Sequence, residues 1–177
     1  IENDWVNGKF EETDTDYKIS DTNILYKNEI EFLPKGVELL CKKLKPKSVL
    51  EFGFGMGWTA TEFQKQGVQR HVILEPNKEN YQMALEWKKQ FDDSDIEILN
   101  IFSWEFVPKE TFDLIYDDKL PFEGNNDKKT DDWMKKYLKK NQWYTRCSAP
   151  AGGVGNDLSI DFKLDSKKYR QQLRRIN

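Results

Sequence analysis

The sequence predicts an α/β fold, with a doubly wound, mostly parallel sheet and helices on both faces. Three observations predict it. Short apolar runs alternate with amphipathic stretches of helical period along most of the 177 residues. Glycine or acidic residues follow the apolar runs. Hydrophobic residues make up 37% of the chain, which is enough for one domain with a packed core. Strands that alternate with helices are joined by crossovers and therefore run parallel.

The N-terminal part divides into two predicted segments. Residues 1–24 are polar with scattered aromatic side chains, which predicts a flexible or docking arm, or a lid. Residues 25–177 are predicted to form the main domain. Within it, apolar residues recur every three or four positions over 27–43, which indicates a helix that begins or breaks near Pro34.

The central part alternates regularly. Apolar runs predict strands and apolar residues at helical spacing predict helices, so the expected order is strand 48–52, helix 58–66, strand 71–75, helix 78–91, strand 96–102, strand 112–116 and helix 131–143. A further strand over 157–162 is expected to follow the glycines at 152–153, and the basic tail 166–176 is expected to be a helix or loop.

Composition excludes several classes of function. The single histidine, His71, argues against histidine triads and multi-histidine metal sites, and no metal is expected. Cys41 and Cys147 lie far apart, which favours free thiols and a cytoplasmic protein. The net charge of −3 gives no global electrostatic case for a nucleic-acid partner. No apolar run reaches 18 residues, so no membrane span is expected.

Four chemically distinctive groups directly follow predicted strands. They are the glycine turn 53–57, Glu75, Ser103 with Trp104, and Asp117 with Asp118. In open parallel sheets, ligands bind beyond the carboxyl ends of the strands, where the strand order reverses. The four groups are therefore expected to share one binding site.

The glycine turn indicates the kind of ligand. Glycines stand at 53, 55 and 57, whereas the dinucleotide fingerprint requires glycine at 53, 55 and 58, and position 58 is Trp. This spacing argues against NAD and FAD, and no Gly-Lys-Ser/Thr follows for a P-loop. Glu51 could accept from amides of the turn, hold a ligand ammonium through water, or simply brace the loop. Glu75 suits a ribose diol, because its two oxygens can accept both hydroxyl protons.

With these motifs the sequence resembles class I S-adenosylmethionine-dependent methyltransferases over roughly residues 25–155, which implies a Rossmann-like domain. The run 49–57 resembles the first motif of that family, and 71–75 resembles the second. Gly-Phe-Gly-Met (53–56), Ser-Trp-Glu (103–105) and Phe-Asp-Leu-Ile-Tyr-Asp-Asp (112–118) are most similar to guanidinoacetate and protein arginine N-methyltransferases.

The resemblance implies S-adenosylmethionine as cofactor and S-adenosylhomocysteine as product. Ser103 and Trp104 are implied at the adenine, and Glu51 and Gly53 at the methionine portion. The full set of implied cofactor-binding residues is Glu51, Gly53, Phe54, Gly55, Met56, Gly57, Glu75, Pro76, Ser103, Trp104 and Asp117.

The resemblance also implies methyl transfer to a guanidino or amino nitrogen of a small molecule or of a protein side chain. Asp117 matches the acid that holds the acceptor in the guanidino-methylating relatives, whereas Asp118 stands where guanidinoacetate methyltransferases have Thr. An acid from the helix before the first strand completes the family's site. Glu29 or Glu31 could supply it, and the spacing to Val49 favours Glu31, although both could instead be helix residues that face solvent.

Two other functions remain open at this point: a non-catalytic S-adenosylmethionine-binding subunit, and an enzyme that decomposes the cofactor without a methyl acceptor. The antiparallel strand pair that ends the family's sheet is not evident after residue 162, so the fold is expected to lack it. Its loss would expose a sheet edge that a partner or a homodimer could cover.

Overall fold

The computed structural model describes residues 2–107, 109–117, 127–146 and 156–175. Within these ranges the elements are, in order, α1 (Glu2–Asn7), β1 (Phe10–Glu12), β2 (Asp16–Ile19), β3 (Thr22–Tyr26), a 3₁₀ helix (Lys27–Glu31), α2 (Leu33–Leu44), β4 (Ser48–Phe52), α3 (Trp58–Lys65), β5 (Arg70–Leu74), α4 (Lys78–Lys88), β6 (Asp95–Leu99), a second 3₁₀ helix (Ser103–Glu105), β7 (Phe112–Asp117), α5 (Asp127–Tyr137), β8 (Leu138–Arg146), β9 (Asn156–Leu164) and β10 (Lys167–Arg175). No helix in these ranges is long and apolar enough to span a membrane.

The main sheet has seven strands in the order β6-β5-β4-β7-β8-β10-β9. The strands from β6 to β8 pair in parallel, which confirms the predicted mostly parallel α/β sheet. The chain moves from β4 outward through β5 to β6 and then returns to the other side of β4 as β7. The strand order therefore reverses between β4 and β7, and the glycine turn follows β4 at this switch point.

The alternation of side chains along β4 places helices on both faces of the sheet. Val49 packs in one hydrophobic cluster with α2 and α3, and Leu50 packs in another with Met134 of α5. All five residues of β4 are buried, as expected for a central strand. Burial on both sides explains why Val49, Leu50 and Phe52 are apolar on alternate faces, and the bounds of β4 match the predicted 48–52.

The start of the main domain agrees with the prediction of a helical segment over 27–43 that begins or breaks near Pro34. The segment is a 3₁₀ helix followed by α2, and Pro34 lies in the first turn of α2. Proline is compatible with that position because the first backbone N–H groups of a helix have no intrahelical acceptor.

The C-terminal region requires a correction. The helix predicted over 131–143 ends at Tyr137, and β8 begins at Leu138. The tail predicted as helix or loop is β10, which forms an antiparallel hairpin with β9. The expectation that the final strand pair is lacking is therefore wrong. Asp165 and Ser166 join the strands with positive φ angles of 47° and 67°, the conformation of a type I′ hairpin turn. Because β9 and β10 are present, the sheet edge that a missing pair would have exposed to a partner does not arise.

The N-terminal segment is folded over residues 2–26. After α1, the strands β1, β2 and β3 form a separate three-stranded antiparallel sheet. Hydrogen bonds attach this segment to the beginning of α4. The Asn77 side chain donates from Nδ2 to the carbonyls of Trp5 and Gly8, at 2.8 Å each, and the N–H of Phe10 donates to Glu79 at 2.8 Å.

Candidate functional site

A pocket lies at the carboxyl ends of β4, β5 and β6. It holds about 860 Å³ of space between atoms, including open solvent at its mouth. All the predicted cofactor-binding residues line this pocket except Glu51, Gly57 and Asp117. The structure thus brings together the glycine turn, the acid after β5 and the Ser-Trp pair after β6.

Gly57 has a structural reason to be glycine. Its φ is +74°, and a Cβ there would lie 2.6 Å from Cζ of Phe54. The Phe54 ring crosses the turn at this point and packs edge-on against Trp87, with ring centroids 5.5 Å apart. Gly57 therefore lets Phe54 reach the hydrophobic core below the turn, which fixes the backbone that faces the pocket.

Glu75 is almost fully buried and is held by uncharged donors. Its Oε2 accepts from the N–H of Phe54 at 2.9 Å and from Nδ2 of Asn80 at 3.0 Å, and its Oε1 accepts from the N–H of Asn77 at 2.9 Å. Burial raises the pKa of Glu75, although these hydrogen bonds favour the ionised form. The carboxyl group is thus positioned at the pocket by both the glycine turn and the start of α4.

Glu51 lies behind the pocket. It is 1% exposed, and its Oε1 accepts from the Thr59 hydroxyl while its Oε2 lies 2.8 Å from Nε2 of His71. His71 Nδ1 in turn lies 3.0 Å from Nε2 of Gln64. Thr59 lines the pocket but Glu51 does not. The geometry therefore favours the alternative in which Glu51 braces the loop and the first turn of α3.

The part of the pocket after β6 is aromatic. Trp104 stacks on Phe102 with ring centroids 4.4 Å apart and an angle of 10° between the planes. Trp104 is 47% exposed, whereas Phe102 is buried, and both residues line the pocket. Trp104 is therefore a supported aromatic surface that a flat heterocycle could contact.

The N-terminal segment covers the glycine turn. The sequence did not predict which residues of this segment make the contacts. Trp5, Ile19, Ile24 and Leu25 line the pocket. A methyl group at Gly55 would lie 3.7 Å from Cδ2 of Leu25, so β3 is in contact with the turn. These apolar contacts depend on tertiary structure, and the scattered N-terminal aromatics were the one signal in the sequence.

Trp58 was also missed as a pocket residue. It lines the pocket at the start of α3 and packs edge-on against Tyr17 of β2, with centroids 6.1 Å apart. The same residue that breaks the dinucleotide spacing thus connects the glycine turn to the N-terminal sheet.

Asp117 lies at the carboxyl end of β7. It pairs in register with Phe52 of β4, the residue before Gly53, and its N–H donates to the Thr145 hydroxyl at 2.8 Å. Asp118 lies outside the described residues. Among the described residues, Glu75 is the one predicted carboxylate that lines the pocket.

The predicted contribution of Glu31 is not found in the site. Glu31 is exposed, and its nearest cation is Lys167 of β10 at 4.0 Å. The alternative, Glu29, accepts from the N–H of Tyr26 at 2.7 Å and so caps the first 3₁₀ helix. Helical spacing could not reveal this, because the segment turns as a 3₁₀ helix before α2 begins.

The pocket fits S-adenosylmethionine. Glu75 and Asn80 present hydrogen-bond acceptors suited to a ribose diol, since Oδ1 of Asn80 is buried without a hydrogen-bond partner in the described part of the chain. Phe102 and Trp104 offer the aromatic surface for the base. The alternating glycines expose backbone where the remainder of the cofactor would lie.

Solved structures with the same fold include several methyltransferases. The N-methyltransferase NodS from Bradyrhizobium japonicum WM9 matches with a TM-score of 0.62 and 15% identity, over 84% of this chain and 97% of that chain. The O-methyltransferase TomG from Streptomyces achromogenes, solved in complex with SAM, gives 0.57 and 14%, over 81% and 79%. An O-methyltransferase from Bacillus cereus, in complex with SAH, gives 0.56 and 14%, over 86% and 82%.

The sequence itself also identifies a family. A search of curated protein sequences finds no significant match. The sequence profile described as Guanidinoacetate N-methyltransferase matches residues 2–153, which is most of the chain. The chain therefore belongs to the guanidinoacetate N-methyltransferase family and is an S-adenosylmethionine-dependent methyltransferase.

Proposed function

We propose that the methyl acceptor is a nitrogen atom of a guanidino or amino group, on a small molecule or a protein side chain. The observation that carries this proposal is the position of Asp117. Its register partner on β4 is Phe52, so an acid stands one strand away from the first residue of the cofactor turn. The activity in the family's description agrees with this chemistry.

Asp117 would serve the acceptor in two ways. A carboxylate binds a guanidinium through paired, charge-assisted hydrogen bonds, which orient one nitrogen. It can also accept the proton that leaves that nitrogen as the new N–C bond forms. When bound, S-adenosylmethionine supplies the methyl group on a sulfonium, whose C–S bond breaks as the nitrogen attacks. Orientation matters because methyl transfer requires an in-line approach.

We further propose that the pocket residues divide the cofactor among them. Glu75 would bind the ribose, Ser103 and Trp104 the adenine, and the turn 53–56 the methionine portion. Gly57 and Glu51 would maintain the turn from behind, as their contacts with Phe54 and Thr59 suggest.

Residues 1–24 would act as a lid on the main domain 25–177. Three residues of this segment, Trp5, Ile19 and Ile24, line the pocket, and hydrogen bonds to Asn77 and Glu79 join the segment to α4. Such a cover would exclude water from the reacting groups, because water competes for a nucleophile's hydrogen bonds.

A labelled-methyl assay tests the acceptor class. The protein is incubated with S-adenosylmethionine carrying an isotopic methyl group and, separately, with guanidinoacetate, arginine, a primary amine, an arginine-containing peptide and a catechol. Mass spectrometry then locates the label. The proposal predicts label on nitrogen of a guanidino or amino compound. Label on the catechol oxygen alone would reject the nitrogen assignment while leaving the methyltransferase assignment intact.

Cofactor breakdown without any labelled acceptor would instead favour an enzyme that decomposes S-adenosylmethionine. A control without protein measures spontaneous breakdown in the same buffer.

A further inference from the structure

In the side-chain amide of Asn80, the nitrogen donates a hydrogen bond, whereas the oxygen has no hydrogen-bond partner in the described ranges. Its Nδ2 donates to Oε2 of Glu75 at 3.0 Å, and its backbone N–H donates to Oδ1 of Asn77 at 2.9 Å. Its Oδ1 is buried and has no hydrogen-bond partner within the described ranges. Asn80 as a whole is 1% exposed and lines the pocket.

The orientation of this amide is determined by its neighbour. A carboxylate oxygen only accepts, so the atom of Asn80 that faces Glu75 must be the NH₂ group, and the other atom must be the carbonyl oxygen. A buried acceptor without a donor is destabilising, so such atoms in native sites normally have a partner. Oδ1 of Asn80 therefore requires a hydrogen-bond donor from the pocket side.

Glu75 alone has little capacity left for two ribose hydroxyl groups. Its two oxygens offer about four acceptor positions. Three are used by the N–H of Phe54, the N–H of Asn77 and Nδ2 of Asn80, and the backbone of Gly55 also contributes. A vicinal diol presents two hydroxyl protons, so a second acceptor beside the carboxylate would complete its binding.

We infer that Asn80 binds the cofactor directly, with its Oδ1 accepting from one ribose hydroxyl while Glu75 accepts from the other. The two acceptors are adjacent because the same amide bridges to the carboxylate. This arrangement rests on the S-adenosylmethionine assignment and not on the nature of the methyl acceptor. The hydrogen bond from a ribose hydroxyl group to Oδ1 of Asn80 would help the protein to bind a ribose in preference to a deoxyribose.

Calorimetric titration with S-adenosylhomocysteine and with its 2′-deoxy and 3′-deoxy analogues tests the inference without turnover. In the unaltered protein, we expect the analogue that lacks the hydroxyl group bound by Oδ1 to bind about tenfold more weakly than S-adenosylhomocysteine, because it leaves Oδ1 without a donor. Asn80→Ala should lose that discrimination and bind this analogue and S-adenosylhomocysteine within about twofold of each other. Asn80→Leu, which keeps the volume, should behave in the same way.

Asn100→Ala is the matched control. Asn100 donates from Nδ2 to the carbonyls of Glu75 at 2.8 Å and Pro76 at 3.0 Å, so it supports the same loop without lining the pocket. It should weaken all three ligands equally and keep the discrimination.

The inference is overturned if Asn80→Ala weakens the three ligands by the same factor, since Asn80 would then act only by orienting Glu75. Failure of the unaltered protein to bind S-adenosylhomocysteine would overturn the cofactor assignment itself, and the inference with it. Methyl transfer to oxygen in the acceptor assay would leave the inference untouched, so the two proposals fail separately.

Discussion

The two ends of the parallel strands carry acids in contrasting surroundings. At the amino ends, Arg70 forms ion pairs with Asp95, Glu97 and Glu110 at 2.5–3.1 Å, and Asp113 pairs with Lys139 at 2.9 Å. At the carboxyl ends, the donors to Glu75 are the uncharged amides of the turn and of α4.

The difference separates stability from function. Acids that are matched by cations of the same chain connect neighbouring strands and need no ligand. An acid held only by neutral dipoles has no cation of the chain paired with it, and burial strengthens each hydrogen bond that it makes. The carboxyl-end acids should therefore govern ligand binding and turnover, and the amino-end acids should govern unfolding.

The largest effect on binding is expected from Glu75→Gln. The substitution removes the charge and places an NH₂ group among N–H donors, and hydrogen bonds to charged groups contribute about 1.5–3 kcal/mol. We expect the Kd for S-adenosylhomocysteine to rise by about 100-fold in calorimetric titration.

Glu51→Gln is the control for Glu75, because both acids are buried, Glu51 in β4 and Glu75 directly after the adjacent strand β5. It should lower the thermal midpoint through the Thr59 and His71 contacts and change the Kd by less than about threefold. An equal loss of affinity in both variants would return Glu51 to the methionine site that the sequence predicted.

Asp113→Asn should reduce stability without affecting the site. Burial tends to raise the pKa of Asp113, but the bonds from Lys139 and from the N–H groups of Lys47 and Ser48 outweigh it, and the pKa is lowered. We expect urea unfolding at pH 7 to show a loss of about 1–2 kcal/mol.

The same variant tests the pH dependence. Because the folded pKa is depressed, the stabilisation is complete above the unfolded pKa of about 3.9 and is lost as pH falls through the folded value. The difference in unfolding free energy between the two proteins should therefore shrink below about pH 4. A constant difference down to pH 2 would show that the charge of Asp113 contributes nothing.

A smaller effect on affinity is expected from Asn77→Asp. The carboxylate keeps the acceptor that caps α4 at the N–H of Asn80 but loses the donors to the carbonyls of Trp5 and Gly8. The N-terminal segment should detach more often, and the Kd should rise about tenfold, equivalent to about 1.4 kcal/mol.

Limited trypsin digestion should also cut this variant faster at Lys9 and Lys18, since cleavage follows local opening. Lys78→Ala, which removes only an exposed bond of 2.7 Å to Asn7, is the milder control. Equal digestion rates for Asn77→Asp and the unaltered protein would argue against Asn77 as the attachment point.

The sequence predicted the centre of the fold better than its edges for physical reasons. β4 is buried on both faces and is followed by glycines with positive φ at 53, 55 and 57, so this short, mainly apolar segment has one interpretation. The β9–β10 hairpin turns at Asp165 and Ser166, a weaker signal than Asn-Gly, and the basic residues of β10 obscure the alternation.

The site divides in the same way. Residues within motifs, such as Gly53 and Glu75, were predicted because local spacing encodes their geometry. Asn80 and Leu25 were not, because their place in the pocket depends on α4 and β3 packing around the turn. Glu31, which was predicted from spacing along a presumed helix, is exposed and does not line the pocket.

The most direct test of the account compares Asp117→Asn with Asp113→Asn, two acids at opposite ends of β7. Turnover is measured by labelled-methyl transfer to the acceptor that the assay identifies, and cofactor affinity by titration with S-adenosylhomocysteine. The account predicts that Asp117→Asn lowers kcat by about 100-fold or more with a Kd within about twofold, whereas Asp113→Asn keeps both. Unchanged turnover in Asp117→Asn would contradict it.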